Sequence, residues 1–278
     1  MSELFLKGHT AWVTGGASGM GRAIALALAE AGADVAIGSL LAKDGESAPA
    51  TLDTYYPDEN ELDIARAAIE AADVRAFARP LDVRSDDDVQ NFFEAATDAL
   101  GAIDILVNAA GIDVHQPMAT HSDEIWHRVI DTNLNGNYRT IRRCLAAMIE
   151  RKWGRIITIA STAASVGAPY DAAYCASKAG LLGMMRCVAL EGAPHGVTCN
   201  AISPGIVNTP MAGTFFRHAV ERGDGPSVEA LRDEAMTAYP QGQFIEPDNI
   251  ASLATYLCRD DAGRITMENL TVAGGALW

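Results

Sequence analysis

The sequence predicts an α/β fold, a doubly wound parallel sheet of seven strands with helices on both faces. Three observations carry that expectation. Short runs rich in β-branched residues alternate with alanine-rich runs of helical length from end to end. The short runs are apolar on both faces, as in strands covered from both sides. No Pro/Gly/Ser-rich linker divides the chain, so 1–278 is read as one domain.

The elements follow in order. A first strand is expected at 10–14, then a helix near 20–31 and a second strand at 34–39. A helix near 60–72 leads to a strand at 75–79, and a helix at 86–100 to a strand at 104–108. That helix opens on Asp86, Asp87 and Asp88, where the helix dipole favours carboxylates. A long helical pattern at 122–151 precedes a strand at 155–160, and another at 171–193 precedes one at 197–203. A helix at 247–259 and a strand at 269–272 complete the series. Two segments break the rhythm. Residues 40–59 read as a polar, Pro-containing inserted loop, and 205–246 as a long connection of the kind that forms a substrate lid.

Composition narrows the function. A formal charge of −15 argues against nucleic acid and anionic membrane as partners, since both want a basic face. No run reaches membrane-spanning length, and the N-terminus lacks a charged-then-apolar leader. The five cysteines show no C-x-x-C spacing and read as reduced thiols of a cytoplasmic protein. The six histidines show no metal spacing, so no metal is expected; His115 is a candidate for substrate contact.

The first strand runs into "TGGASGMG" at 14–21 and then into an alanine-rich helix. A strand, a glycine turn and a helix N-terminus form a site for a pyrophosphate, with backbone N–H groups and the helix dipole facing the anion. Arg22 and Ala23 follow Gly21 where an ATP-type loop needs Lys and Ser/Thr, which excludes that loop.

The T-G-x-x-x-G-x-G spacing resembles the short-chain dehydrogenase/reductase family. The resemblance continues through "LDV" at 81–83, "NAAG" at 108–111, "TNLNG" at Asn133, "IASTAA" at Ser161, "YCASK" at Tyr174 and Lys178, and "SPGIVNTPM" at 203–211. It implies a Rossmann-type sheet, a nicotinamide cofactor and a homotetramer. The cofactor residues it implies begin with Gly15, Ser18, Gly19, Met20 and Gly21 at the turn, Ser39 after strand two, and Asp82 and Val83 at the adenine. Asn108, Ala109 and Gly111 follow strand four. Pro204, Gly205, Val207 and Thr209 lie towards the nicotinamide, and Tyr174 and Lys178 complete the set. By the same resemblance Lys178 holds ribose hydroxyls, and Asn133 anchors a water that relays protons to it.

Chemistry explains why Ser161, Tyr174 and Lys178 belong together. Hydride transfer between nicotinamide and a carbonyl carbon leaves an oxygen that must gain or lose a proton. A phenol with a pKa of about 10 is a poor base near neutrality. A nearby lysine favours the phenolate, and positions four apart on a helix share a face. Ser161 can donate a hydrogen bond to the oxygen as charge develops there. With Asn133, which the resemblance adds, the expected catalytic set is Asn133, Ser161, Tyr174 and Lys178. Tyr170 has no lysine four residues on, so it is read as pocket lining or core.

The resulting expectation is an NAD(P)-dependent oxidoreductase acting on a small-molecule carbonyl or secondary alcohol. The rivals are a catalytically silent dinucleotide-sensing protein and a sugar-nucleotide epimerase or dehydratase. An acidic residue that would select NAD is missing at the end of strand two, which reads Ser39-Leu40. NADP is therefore favoured over NAD, with Arg22 and Lys43 as sources of charge and Asp44 or Glu46 as competing ribose ligands. Apolar residues on several helix faces (Ile141, Leu145, Met148, Leu181, Leu182, Met185) are read as a subunit interface, with Trp278 near a contact.

Overall fold

The computed structural model describes residues 4–42 and 55–276. The insertion residues 43–54, among them Lys43, Asp44 and Glu46, lie outside the described residues, as does Trp278. The elements run β1 (Thr10–Thr14), α1 (Gly19–Glu30), β2 (Asp34–Ser39), α2 (Glu59–Glu70), β3 (Ala76–Pro80), α3 (Asp86–Leu100) and β4 (Ile105–Asn108). After them come α4 (Asp123–Ile130), α5 (Gly136–Arg151), β5 (Gly154–Ile159), α6 (Ala172–Gly192) and β6 (Val197–Pro204). The chain closes with α7 (Pro210–Glu221), α8 (Val228–Thr237), α9 (Pro247–Leu257) and β7 (Asn269–Val272).

The strands form one parallel seven-stranded sheet in the order β3-β2-β1-β4-β5-β6-β7. Side-chain alternation explains why helices must cover both faces. Ala11, Val13, Val35, Ile37, Ile105 and Val107 point into one core with Ile24 and Leu28 of α1 and Ile250 and Leu257 of α9. Trp12, Ala36, Leu106 and Ile156 point the other way, onto Phe92 of α3, Met148 of α5 and Met185 of α6. Trp12 stacks on Phe92 with ring centroids 5.2 Å apart. Strand order reverses between β1 and β4, and the crevice beyond their C-terminal ends is where such a sheet binds a ligand.

Three expectations change. The pattern at 122–151 is two helices rather than one, joined by a π-helical turn at Asp131–Asn135 that carries Asn133. The connection at 205–246 contains α7 and α8, capped by Thr209 and Ser227, whose hydroxyls accept from Ala212 N–H and Ala230 N–H. The apolar surplus does not face outward: Ile141, Met148, Leu181, Leu182 and Met185 are buried within the subunit, and Leu145 packs on the same core. The reason is that α6 is packed against β6, α4 and α5 at once, so more than one of its faces is covered.

Candidate active site

The glycine turn is held by its neighbours into a backbone cradle. Gly15 adopts φ +69, a left-handed conformation that favours glycine, and its N–H donates to Gly38 O at 2.7 Å. A Cβ on Gly21 would lie 2.2 Å from Gly15 O, so only glycine lets α1 start this close to the turn. Thr14 Oγ1 accepts from Ala109 N–H and Ala110 N–H, each at 3.2 Å, tying the turn to the strand-four end. Ser39 Oγ accepts from Ala17 N–H at 3.0 Å. Ser18 caps α1 without a side-chain cap bond, and the first turn of α1 carries no acidic residue. Glycines without Cβ atoms, backbone donors and an uncontested helix N-terminus suit a dinucleotide pyrophosphate.

One cleft runs along this cradle. Gly15, Ser18, Gly19, Met20, Gly21 and Ser39 line its first part, Asp82 and Val83 its far end, and Ala109, Gly111 and Thr209 its near end. Asn108, Pro204, Gly205 and Val207 are not among the residues that line it. Asn108 Oδ1 accepts from Thr140 Oγ1 at 2.7 Å, Gly205 N–H bonds Val272 O, and Val207 is buried beside Ile245.

The far end also holds Arg84, which sequence reasoning missed. Its guanidinium grips Asp82 at 2.6 Å, and the Arg84 backbone N–H donates to the same carboxylate. Burial pushes Asp82 up, but the bonds and charge of Arg84 outweigh it and hold the carboxyl below its ordinary value.

At the near end, Gly111 bridges to the predicted catalytic set. A Cβ there would lie 3.3 Å from Asn133 Oδ1 and 3.5 Å from Lys178 Nζ. The Asn133 carboxamide, fully buried, clasps one residue: Oδ1 accepts from Ile112 N–H at 2.8 Å and Nδ2 donates to Ile112 O at 2.9 Å. Asn133 Nδ2 also reaches Ser177 Oγ at 3.0 Å, and its backbone carbonyl accepts from Asn137 Nδ2 at 2.8 Å. Lys178, also buried, donates to Ile159 O at 2.8 Å and lies 5.5 Å from the Tyr174 ring centroid.

Burial raises the Tyr174 phenol above its ordinary value; Asp113 and Asp171 push it the same way, and a hydrogen bond from Ser161 opposes them. Burial also pulls the Lys178 ammonium down to about 8, against the attraction of Asp113. Tyr170 is not core: it is 57% exposed, with φ +69.

A second group adjoins Tyr174. Asp113, His115 and Asp171 converge, their nitrogen and oxygen atoms lying within 4.8 Å of one another. His115 Nε2 pairs with Asp171 Oδ1 at 3.0 Å, and its ring packs on Phe215 of α7 at 5.0 Å. Burial lifts Asp113 to about 7, with the charge of Asp171 adding to the lift. Burial works against the His115 cation, yet the hydrogen bond to Asp171 and both carboxylates raise its pKa. The signal that could have found them is the alternation "IDVH" after the "NAAG" turn, with Ile112 and Val114 buried and the polar pair between and after them.

The parallel sheet, the switch-point cleft and the glycine cradle define a dinucleotide-binding α/β protein. The short chain dehydrogenase family model matches residues 9–219, so the chain belongs to that family and is an NAD(P)-dependent oxidoreductase. It is 34% identical to the D-β-hydroxybutyrate dehydrogenase of Rhizobium meliloti, over 96% of this chain and 97% of that one. It is 32% identical to the 3-oxoacyl-(acyl-carrier-protein) reductase of Staphylococcus epidermidis, over 96% and 98%. Among solved structures it resembles an actinorhodin polyketide ketoreductase variant with NADPH, with a TM-score of 0.87, 33% identity and coverage of 96% and 97%.

Proposed function

We propose that Tyr174 is the general acid/base of a hydride transfer between a nicotinamide cofactor and a small-molecule carbonyl or secondary alcohol. The carrying observation is the convergence of Ser161, Tyr174 and Lys178 beside Gly111, which lines the near end of the cleft and where a Cβ would lie 3.5 Å from Lys178 Nζ. The nicotinamide, when bound, supplies or accepts the hydride. Tyr174, protonated at neutral pH, gives its proton to the carbonyl oxygen in reduction and recovers it in oxidation. Ser161 donates a hydrogen bond to that oxygen as it becomes negative. Lys178 keeps positive charge beside the phenol and reaches towards the ribose. Asn133 positions Ile112, and with it the strand-four loop, rather than moving a proton itself.

Gly15, Ser18, Gly19, Met20 and Gly21 hold the pyrophosphate, and Asp82 and Val83 the adenine. Ala109, Gly111 and Thr209 face the nicotinamide half, supported by Asn108, Pro204, Gly205 and Val207. NADP is favoured over NAD because Ser39, not a carboxylate, stands at the ribose end of β2; the NADPH in the related ketoreductase is in keeping with this.

A homotetramer is supported by the outer face of α6, where Ala176, Ala179, Gly183, Cys187 and Leu190 are exposed. Light scattering that gives the mass of a single chain would overturn it. Five free cysteines suit the reducing cytoplasm. No helix among the described residues is long and apolar enough to cross a membrane.

Tyr174→Phe tests the central claim. Nicotinamide binding by fluorescence titration stays near wild type while turnover falls by roughly 10²–10⁴, the range for a lost acid/base. Tyr170→Phe stays active. The reverse pattern would assign the proton transfer to Tyr170.

A further inference from the structure

We infer that Asp113, His115 and Asp171 form the substrate-recognition wall beside Tyr174. They select a neutral ketone carrying a hydroxyl group near the reacting carbon over a keto acid of the same size. The inference rests on Tyr174 as the acid/base and adds the class of its substrate.

The wall is built at visible structural expense. Asp171 is the N-cap residue of α6, where an aspartate ordinarily accepts from the helix N–H groups. Its side chain makes no cap bond and turns instead to His115, 3.0 Å away. The residue before it, Tyr170, holds φ +69, a left-handed conformation uncommon for a non-glycine residue. Tyr170 O accepts from Gln116 N–H at 2.9 Å, so the strained corner is pinned to the segment that carries Asp113 and His115. From the other side, the Asn133 clasp on Ile112 fixes the start of that segment. A forgone cap, a strained residue and a buried clasp all serve to hold three ionisable side chains at one place.

That place adjoins Tyr174, three residues on from Asp171 in the first turn of α6. Asp113 and Asp171 both act electrostatically on Tyr174, and Asp113 also acts on Lys178. The side chains of His115 and Asp171 are about nine-tenths buried, and Phe215 of α7 closes over the imidazole.

Ligand chemistry follows from the donor and acceptor inventory. One imidazole offers at most two N–H groups, and Asp113 one O–H while it keeps its proton, against four carboxyl oxygens, so acceptors still outnumber donors on the wall. A substrate hydroxyl donates to such a carboxylate in a charge-assisted bond. A substrate carboxylate would meet like charge in a poorly solvated place.

The test is a matched set of ketones reduced by the full-length enzyme: 4-hydroxy-2-butanone, acetoacetate and 2-butanone, with kcat/KM measured for each. The expected order places the hydroxyketone at least tenfold above acetoacetate and also above 2-butanone. In Asp171→Asn and in the Asp113→Asn, Asp171→Asn double variant, the hydroxyketone-to-acetoacetate ratio falls towards one, mainly through KM. Asn keeps the size of Asp, and since the Asp171 side chain makes no cap bond, the substitution removes none from α6. A wild type that prefers acetoacetate overturns the inference without any variant. So does a ratio the variants leave unmoved, or turnover that needs added Mg²⁺ or Zn²⁺ and vanishes with EDTA, which would make the three groups metal ligands. No reduction of any of the three with either nicotinamide would instead bring down the reading of Tyr174 beneath it, and the inference with it.

Discussion

On the cofactor side the cleft is made of backbone, and on the substrate side it is made of buried ionisable side chains. The cradle works through glycines that lack a Cβ, through N–H groups and through a helix end. Two of its polar side chains, Thr14 and Ser39, spend their oxygens on backbone N–H groups of the turn and of the strand-four end. The opposite wall places Asp113, His115, Asp171, Tyr174 and Lys178 in one poorly solvated cluster, where burial displaces the pKa of four of the five against the charged form or is outweighed only by a partner. A common ligand part can be bound by generic backbone geometry, whereas proton transfer and substrate choice need specific side chains held out of water. The first wall should therefore fail by steric intrusion and the second by loss of charge.

After the loss of turnover in Tyr174→Phe, the largest difference is expected from adding one methyl group to the first wall. In Gly21→Ala the new Cβ would sit 2.2 Å from Gly15 O, a backbone atom with no room to retreat. Overpacking of this kind costs about 1–3 kcal/mol, which corresponds to a cofactor Kd raised by roughly five- to 150-fold if the turn yields. Fluorescence titration with NADPH and NADH measures it directly. An unchanged Kd would mean that the Gly15 to Gly21 contact is not part of the cradle.

The same division governs how much the sequence disclosed. Strands such as 104–108 were legible because burial on both faces writes an apolar run into the chain. The cradle was legible because 14–21 is contiguous, and Tyr174 with Lys178 because a helix brings positions four apart together. The π-helical turn at Asn133 left no such mark: "DTNLN" holds no proline or glycine, and the partner its side chain clasps, Ile112, lies 21 residues away. The helices α7 and α8 did leave marks, Thr209-Pro210 and Ser227 being ordinary cap signals, but mixed aromatic and charged residues between them masked the periodicity. The pairing of His115 with Asp171 was out of reach, since only the docking of the α6 N-terminus against the strand-four loop brings the two together.

A smaller effect is expected where one side chain decides which cofactor the backbone wall accepts. Ser39 stands at the end of β2, lines the cleft and accepts from Ala17 N–H. An aspartate there could still accept that bond while offering its other oxygen to a ribose hydroxyl and repelling a 2′-phosphate. In Ser39→Asp the ratio of kcat/KM for NADPH to that for NADH should fall by about tenfold or more, on the order of 1.4 kcal/mol. A wild type strongly preferring NADH would remove the case for NADP. An unchanged ratio would show that position 39 does not meet the ribose.

The smallest effect concerns stability, and it tests whether the second wall is strained electrostatically. Burial and the neighbouring Asp171 raise Asp113 from an ordinary 3.8 to about 7 in the folded protein. The folded state therefore keeps this proton up to about pH 7, whereas the unfolded chain releases it near pH 4. Between those values the folded state binds more protons, so this group's contribution to stability declines as pH rises and stays low above the folded pKa. Asparagine does not titrate, so Asp113→Asn removes the decline. At pH 5.5 the melting temperatures of variant and wild type should lie closer together than at pH 8. At pH 8 the variant should melt higher by roughly 2–4 °C, the shift about 1 kcal/mol produces in a domain of this size. Calorimetry at the two pH values reads both. If the gap is the same at each pH, Asp113 ionises in the folded protein as freely as in the unfolded chain, and the contrast between the two walls loses its electrostatic half.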